Sequence, residues 1–439
     1  MAQFRTDKNI IDSGQVFTRY EVSMLSDQLT PSGTMIDAFG RLRVSNPYTI
    51  FDSQMIGTEG NKFDTANTGN ATTVYTANTS CVNMTVTTTN NDRSIRQTRR
   101  VMPYQPGKSL LIMSTFAMGT PKANVTQRVG YFDNNNGVYF QNKDGVNSLV
   151  IRSTSDGTAE TLIPQSQWNH DKFDGTGYSS QTSDFDGHAN VIDVTKTNIF
   201  WIDIEWLGVG DVRCGFIVDG KPRLAHVFHH DNRNTDVYMT SACLPVRYEI
   251  LNTGTTTGNT TMKQICTSVS SEGGYQGKSL IQGISRGYTI VNAVDLGTAG
   301  TEVPLISIRL KTDKLNSVVV PHMTHIYVDS NASVSYRWVK NYQTLDGTWV
   351  SHPTYGSAVE YNITSTAAGS TLGSINGKTQ VVQGGFITAG AAAVAGGYEN
   401  YDFQLGRFID GTSETFTLTA IGMNNNIKVL PKMDWFQLV

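Results

Sequence analysis

The 439-residue chain carries 34 basic and 37 acidic residues, a formal net charge of −3, and only 16% of its residues are charged. That balance lacks the basic excess of a protein that tracks nucleic acid through its phosphates. The length is too great for one ordinary sandwich and ample for two β-domains with an arm.

Polarity comes instead from Thr, Asn, Ser and 41 glycines, a mixture that favours strands and tight turns over helical surfaces. The expected class is all-β. The opening residues 1–14 contain no apolar stretch of the kind a secretory signal needs, and no run approaches the ~18 apolar residues of a membrane span. Neither nucleic acid nor membrane is expected as a partner, and no cofactor. The four cysteines (Cys81, Cys214, Cys243, Cys266) are scattered without CxxC spacing and read as free thiols made in a reducing cytoplasm.

Along the chain, residues 1–60 show no helical or alternating periodicity and read as an extended docking arm that a neighbour would order. From 61 to 95 a weak alternation (Val82, Met84 and Val86 against Thr85 and Thr87) suggests strands at a sheet edge. Leu110–Phe116 is an apolar strand, and Asp133-Asn134-Asn135-Asn136 is a turn between two further strands. The clearest segment runs from Ile199 to Asp219. Phe200, Ile202, Ile204 and Trp206 share one face, with Trp201, Asp203 and Glu205 on the other. A turn follows, then Val212, Cys214, Phe216 and Val218 continue the apolar face, with Arg213 placed opposite Asp203 or Glu205. Asp219-Gly220 turns into Leu224–His230. This is a meander burying one face, half of a sandwich. The Gly/Thr-rich stretch 253–277 reads as a link. Strands resume at Leu305–Leu310, Val318–Val320, Ile326–Val328, Val334–Val339 and Phe416–Ile421. Residues 389–393, alanine-rich, fit a short helix or a loop. The apolar tail Trp435–Val439 reads as a strand stitched into a sheet or a subunit contact. The expected organisation is an arm over 1–60, a jelly-roll-like sandwich over 61–265 and a second sandwich over 275–439.

Three constellations invite chemistry. Trp201-Ile202-Asp203-Ile204-Glu205-Trp206 resembles the catalytic strand of the glycosidase family that includes lichenases and agarases, which share a concanavalin-like jelly roll. In that family three acids alternate so that two carboxylates straddle the bond. Here Trp201 stands where the nucleophile belongs, so no catalytic residue is assigned and the chain is not expected to be an enzyme. Asp203 and Glu205 read as solvent-facing acids, and Trp201 beside them as a platform for a glycan. His226, His229 and His230 form the second group. On a strand His226 and His230 share a face but lie roughly 13 Å apart, too far to hold one metal, and they read as surface or interface histidines. Asp184-Phe185-Asp186-Gly187 with Asp193 offers alternating acids, but without the full spacing of a calcium loop.

The segment Asp37-Ala38-Phe39-Gly40-Arg41-Leu42-Arg43-Val44-Ser45, continued by Pro47-Tyr48-Thr49-Ile50-Phe51-Asp52-Ser53-Gln54, resembles the opening of a family of virion structural proteins of tailed bacteriophages, many infecting marine bacteria and cyanobacteria. Further matches are Trp168-Asn169-His170-Asp171-Lys172-Phe173-Asp174-Gly175-Thr176-Gly177 and a run from Ile199 through Trp206-Leu207-Gly208-Val209-Gly210 and Phe216-Ile217-Val218-Asp219-Gly220 to Leu244-Pro245-Val246-Arg247-Tyr248-Glu249-Ile250. The resemblance implies a structural part of a virion, made in the host cytoplasm and assembling with other virion proteins. As a part of the tail, baseplate or fibre it would be a homo-oligomer, a trimer among the options; capsid decoration is the alternative place. A carbohydrate-binding module for host attachment is the rival from another class. Phe39, Arg41, Leu42 and Arg43 suit an arm that plugs a neighbouring subunit, arginines meeting carboxylates, or an ordinary buried turn of this same chain.

Overall fold

The computed structural model describes residues 9–12, 15–18, 37–38, 41, 43, 45–155, 160–176, 191–274, 280–329, 332–342, 345–366, 379–388, 392–396 and 403–438. Among them the chain is all-β, with helical turns only of the short 3-10 type.

The first sandwich pairs a seven-stranded sheet with an eight-stranded one. The seven-stranded sheet runs Glu160–Pro164, Val146–Arg152, Gly137–Lys143, Val125–Phe132, Val246–Asn252, Arg93–Thr98, Phe63–Thr68. The eight-stranded sheet begins with the meander Lys221–Phe228, Val212–Val218, Asn198–Ile204, then Leu110–Ala117, Thr260–Glu272, Cys81–Val86 and Thr72–Thr76. Pro47–Ser53 pairs with Thr260–Glu272 as well, so the sandwich begins inside the stretch expected to be arm.

The meander forms as alternation requires. Val218 faces Lys221 across Asp219 and Gly220, whose φ values of 50° and 72° are those of a tight turn matched to strand twist. The inward faces close on an aromatic centre in which Phe140 lies 5.2 Å from Phe216 and Trp168 stacks on Phe216 at 6.2 Å.

One expectation is corrected. The stretch 253–277, read as a link, contains the 13-residue strand Thr260–Glu272, which pairs with Leu110–Ala117, Cys81–Val86 and Pro47–Ser53. Its buried positions are mostly polar, Thr260, Gln264, Thr267 and Ser271 beside Met262 and Val269, so hydrophobic alternation does not reveal it.

The second sandwich places Leu280–Ser285, Lys428–Leu438, Val318–Val328 and Ala392–Gly396 in one sheet, with Val294–Asp295 also on Lys428–Leu438. The other holds Val350–Ser351, Val359–Asn362, Glu302–Leu310, Thr415–Gly422, Val334–Lys340 and Gln380–Ile387. The apolar tail is thus an interior strand, with Trp435 and Met433 fully buried. Of the alanine-rich residues 389–393, expected as a helix or a loop, 392 and 393 begin the strand Ala392–Gly396, and 389–391 lie outside the described residues.

The two sandwiches meet at a bonded seam. Arg407 donates to Asp133 at 2.9 Å, and Gln404 to the carbonyl of Val101 at 3.0 Å. The Ile409 N–H donates to Asp64 at 2.9 Å, while Val101, Val318 and Val320 form an apolar contact beside Cys243 and Leu438. Polar groups here are matched rather than merely excluded from water, which fixes the mutual orientation of the halves.

Candidate functional site

The outer face of the meander is not where a ligand can sit. Trp201 is fully buried. Its ring lies over Gly215, the residue opposite it in register, so closely that a β-carbon there would come within 2.6 Å of the indole. Leu111, Leu224 and Val227 complete its surroundings, with the Arg213 guanidinium 5.9 Å from the ring. Trp201 is a packing residue, and the expected glycan platform does not exist.

Asp203 and Glu205, expected to face solvent, are buried too. The reason is the segment carrying Asp37, Arg41 and Arg43, which lies across them. Arg41 donates to both Glu205 oxygens at 2.8 and 2.9 Å and to Asp37 at 2.5 Å. Arg43 donates to Asp203 at 2.5 Å and lies 3.5 Å from Glu272. From the sheet itself Arg213, paired in register with Asp203, reaches it at 3.5 Å and the Asp37 carbonyl at 3.0 Å.

Burial is the largest influence on Glu205 and drives its pKa up to about 7. Arg41 opposes that rise, and the Asp37 and Glu272 charges add to it. Burial likewise raises Asp203 against the pull of Arg43 and Arg213. The arginines of the arm therefore meet carboxylates of this same chain. Only residues 44–46 separate Arg43 from the Pro47–Ser53 strand, whose Pro47 pairs with Glu272, so the segment is held in place by its own sheet. Phe39 and Leu42 lie outside the described residues. With both acids locked to guanidinium groups, the strand that resembles a glycosidase's has no free carboxylate to offer.

The open site lies at the neighbouring edge: Glu160–Pro164 and Lys221–Phe228 are outermost strands of the two sheets, and both contribute residues to it. A cleft of about 540 Å³ opens there, lined by Ile151, Ser153, Thr161, Asn169, residues 226–230 and residues 233–238. Its floor is built by the segment after Trp168, which runs along the free edge of Lys221–Phe228. The His170 and Asp171 N–H groups donate to the carbonyls of Ala225 and Leu224, both at 3.1 Å. The Asn169 side chain pairs with Val227 in both directions, each bond 2.9 Å, so the edge strand is satisfied without a further strand.

This scaffold fixes two imidazoles. The Asn169 N–H donates to Nδ1 of His226 at 3.2 Å, which places the ring proton on Nε2. His230 is held the other way: its Nδ1 lies 2.9 Å from the carbonyl of Gly210, an acceptor, so Nδ1 carries the proton and Nε2 keeps a lone pair. The His230 ring also stacks on Tyr238, centroids 3.8 Å apart and planes within 6°. Neither Nε2 has a partner among the described residues, although each histidine is more than nine-tenths buried.

Burial keeps both rings neutral, pushing His226 down to about 4 with further lowering from His170 and His229. It lowers His230 too, against the carbonyl of Gly210 and the Asp211 charge. His229, the exposed member, pairs with Asp211 at 2.8 Å. The histidines expected at a surface or an interface are thus cleft walls. Among the described residues no three metal-ligating side chains converge. Asp193 caps Thr195 at 2.9 Å, and Asp184, Asp186 and Gly187 lie outside the described residues.

Sequence reading singled out His226 and His230 but not Asn169, the residue that orients the first. Its signal was present in the Trp168–Gly175 motif, whose role in lining a site appears only when it lies along the edge strand.

No family model and no curated protein matches the chain. Among solved structures it is similar to the carbohydrate recognition domain of Emp47p, at 11% identity and a TM-score of 0.32 over 51% of this chain and 96% of that one. A protein of unknown function from Shewanella oneidensis MR-1 aligns at 10% identity and 0.33 over 54% and 90%. The CBM2 module of the evolved Dit protein of Lactobacillus casei BL23 phage J-1 aligns at 8% identity and 0.33 over 53% and 99%. At such scores the functional argument rests on the cleft itself.

Proposed function

We propose that this chain is a structural protein of a tailed-phage particle whose first sandwich carries a glycan-binding cleft. The particle role is supported by the Asp37–Gln54 motif and by the bonded seam, which makes one stiff body of two sandwiches and suits a part that bears load in an assembly. The glycan reading is carried by one observation: a donor and an acceptor on two buried neutral imidazoles, unpartnered among the described residues, in the walls of a polar cleft. Its volume falls in the ~300–1,000 Å³ range of small-molecule sites, and sugars are bound by such fixed hydrogen-bonding groups beside an aromatic ring.

A place in the tail, baseplate or fibre, as a homo-oligomer, fits a protein that meets the host surface. Reconstruction of the intact particle tests the reading. Density at the tail with the His226–His230 cleft facing outward is expected. Density on the capsid lattice would make the chain a decoration protein, and a cleft covered by a neighbouring subunit would overturn the glycan assignment.

A further inference from the structure

Resting on that reading, the cleft's chemistry goes further and selects among glycans. We infer that it takes uncharged saccharide units in preference to uronic, sulfated or phosphorylated ones. The His226 Nε2–H and the His230 Nε2 lone pair present one donor and one acceptor. A hydroxyl satisfies both kinds of group, since it donates and accepts. A carboxylate or sulfate oxygen only accepts, so it leaves the His230 lone pair buried against a negative charge with no proton between them, a costly arrangement away from water.

The rim carries no net charge to compensate. Its cation Arg233 is offset by Asp236 among the lining residues, and His229 is engaged by Asp211 at 2.8 Å. Selectivity against the wrong partner therefore comes from an unsatisfied polar group more than from attraction to the right one.

The test uses the purified full chain against an array of immobilised polysaccharides: neutral mannan, galactan and dextran, and the charged alginate, hyaluronan and dextran sulfate. At least one neutral polymer is expected to bind at least tenfold more tightly than every charged one. His230→Phe, which keeps a ring against Tyr238 and removes the acceptor, should weaken neutral binding at least tenfold. Asp236→Asn, on the exposed loop, should leave Arg233 unbalanced and raise binding of the charged polymers severalfold. Tighter binding of a charged polymer by the unaltered chain would overturn the inference while leaving a glycan-binding cleft in place. Binding of none of the six would overturn both. Neutral binding unchanged in a folded His230→Phe protein would remove the assigned acceptor and with it the inference.

Discussion

Two polar regions flank the same meander and have opposite fates. On its outer face the carboxyl groups of Asp203 and Glu205 are buried and closed over by Arg41, Arg43 and Arg213. At its edge His226 and His230 are buried and neutral, and each keeps one nitrogen without a protein partner among the described residues. Ionised groups withdrawn from water must be matched by opposite charge or they destabilise the fold. A neutral imidazole brings no charge that must be matched, and the nitrogen its scaffold leaves over is one that a ligand in the cleft can satisfy. The acids conspicuous in the sequence are therefore not the polar groups that the fold leaves open.

The comparison breaks most visibly at Asp203. Asp203→Ala leaves Arg43 and Arg213 facing each other without their shared anion, and is expected to cost ~3–5 kcal/mol in urea unfolding with saccharide binding at the cleft intact in the folded fraction. Trp201→Ala opens a cavity over Gly215, at about 3–5 kcal/mol. The milder Trp201→Phe should leave glycan binding unchanged; a loss there would restore Trp201 as a platform. Asn234→Ala in the exposed cleft loop should alter stability by less than ~0.5 kcal/mol, yet reduce binding severalfold, as isothermal titration would show.

The smallest effects are opposed slopes with pH. His226, lowered to about 4 from its ordinary 6.5, binds a proton more weakly folded than unfolded. Its contribution to stability is full above pH 6.5 and is lost as the pH falls towards 4. Glu205, raised from 4.5 to about 7, binds its proton more tightly when folded, so its contribution runs the other way and is lost as the pH rises from 4.5 to 7. His226→Gln should flatten the first slope and Glu205→Gln the second, each read from unfolding midpoints across pH 4–7.

Much of the architecture was legible because alternation reports it directly. The strands around Phe200 and Phe216 and the Asp219-Gly220 turn follow from a period of two, which placed Arg213 opposite Asp203 or Glu205; the structure selects Asp203. Alternation marks one face as apolar but says nothing of what covers the other. The burial of Asp203 and Glu205 needed the distant Arg41 segment to become visible, and that of Trp201 needed Leu111, Leu224 and Val227. The Thr260–Glu272 strand escaped because threonine, serine and glutamine occupy its buried positions. The cleft was half legible: the histidines were conspicuous, but their walls come from Ser153, Asn169 and Tyr238, separated by tens of residues and joined only where two sheet edges meet.

The position of Lys428–Leu438 has a consequence for how the protein is made. This strand lies between Leu280–Ser285 and Val318–Val328 and is hydrogen-bonded to both. On the ribosome the described strands of the first sandwich are all present once Glu272 has emerged, whereas the second stays unfinished until Lys428–Leu438 arrives. A transcript broken before codon 428 would yield a folded half joined to two open strand edges, which are templates for aggregation. Until Lys428–Leu438 has been translated, the second sandwich therefore lacks the strand that joins Leu280–Ser285 to Val318–Val328.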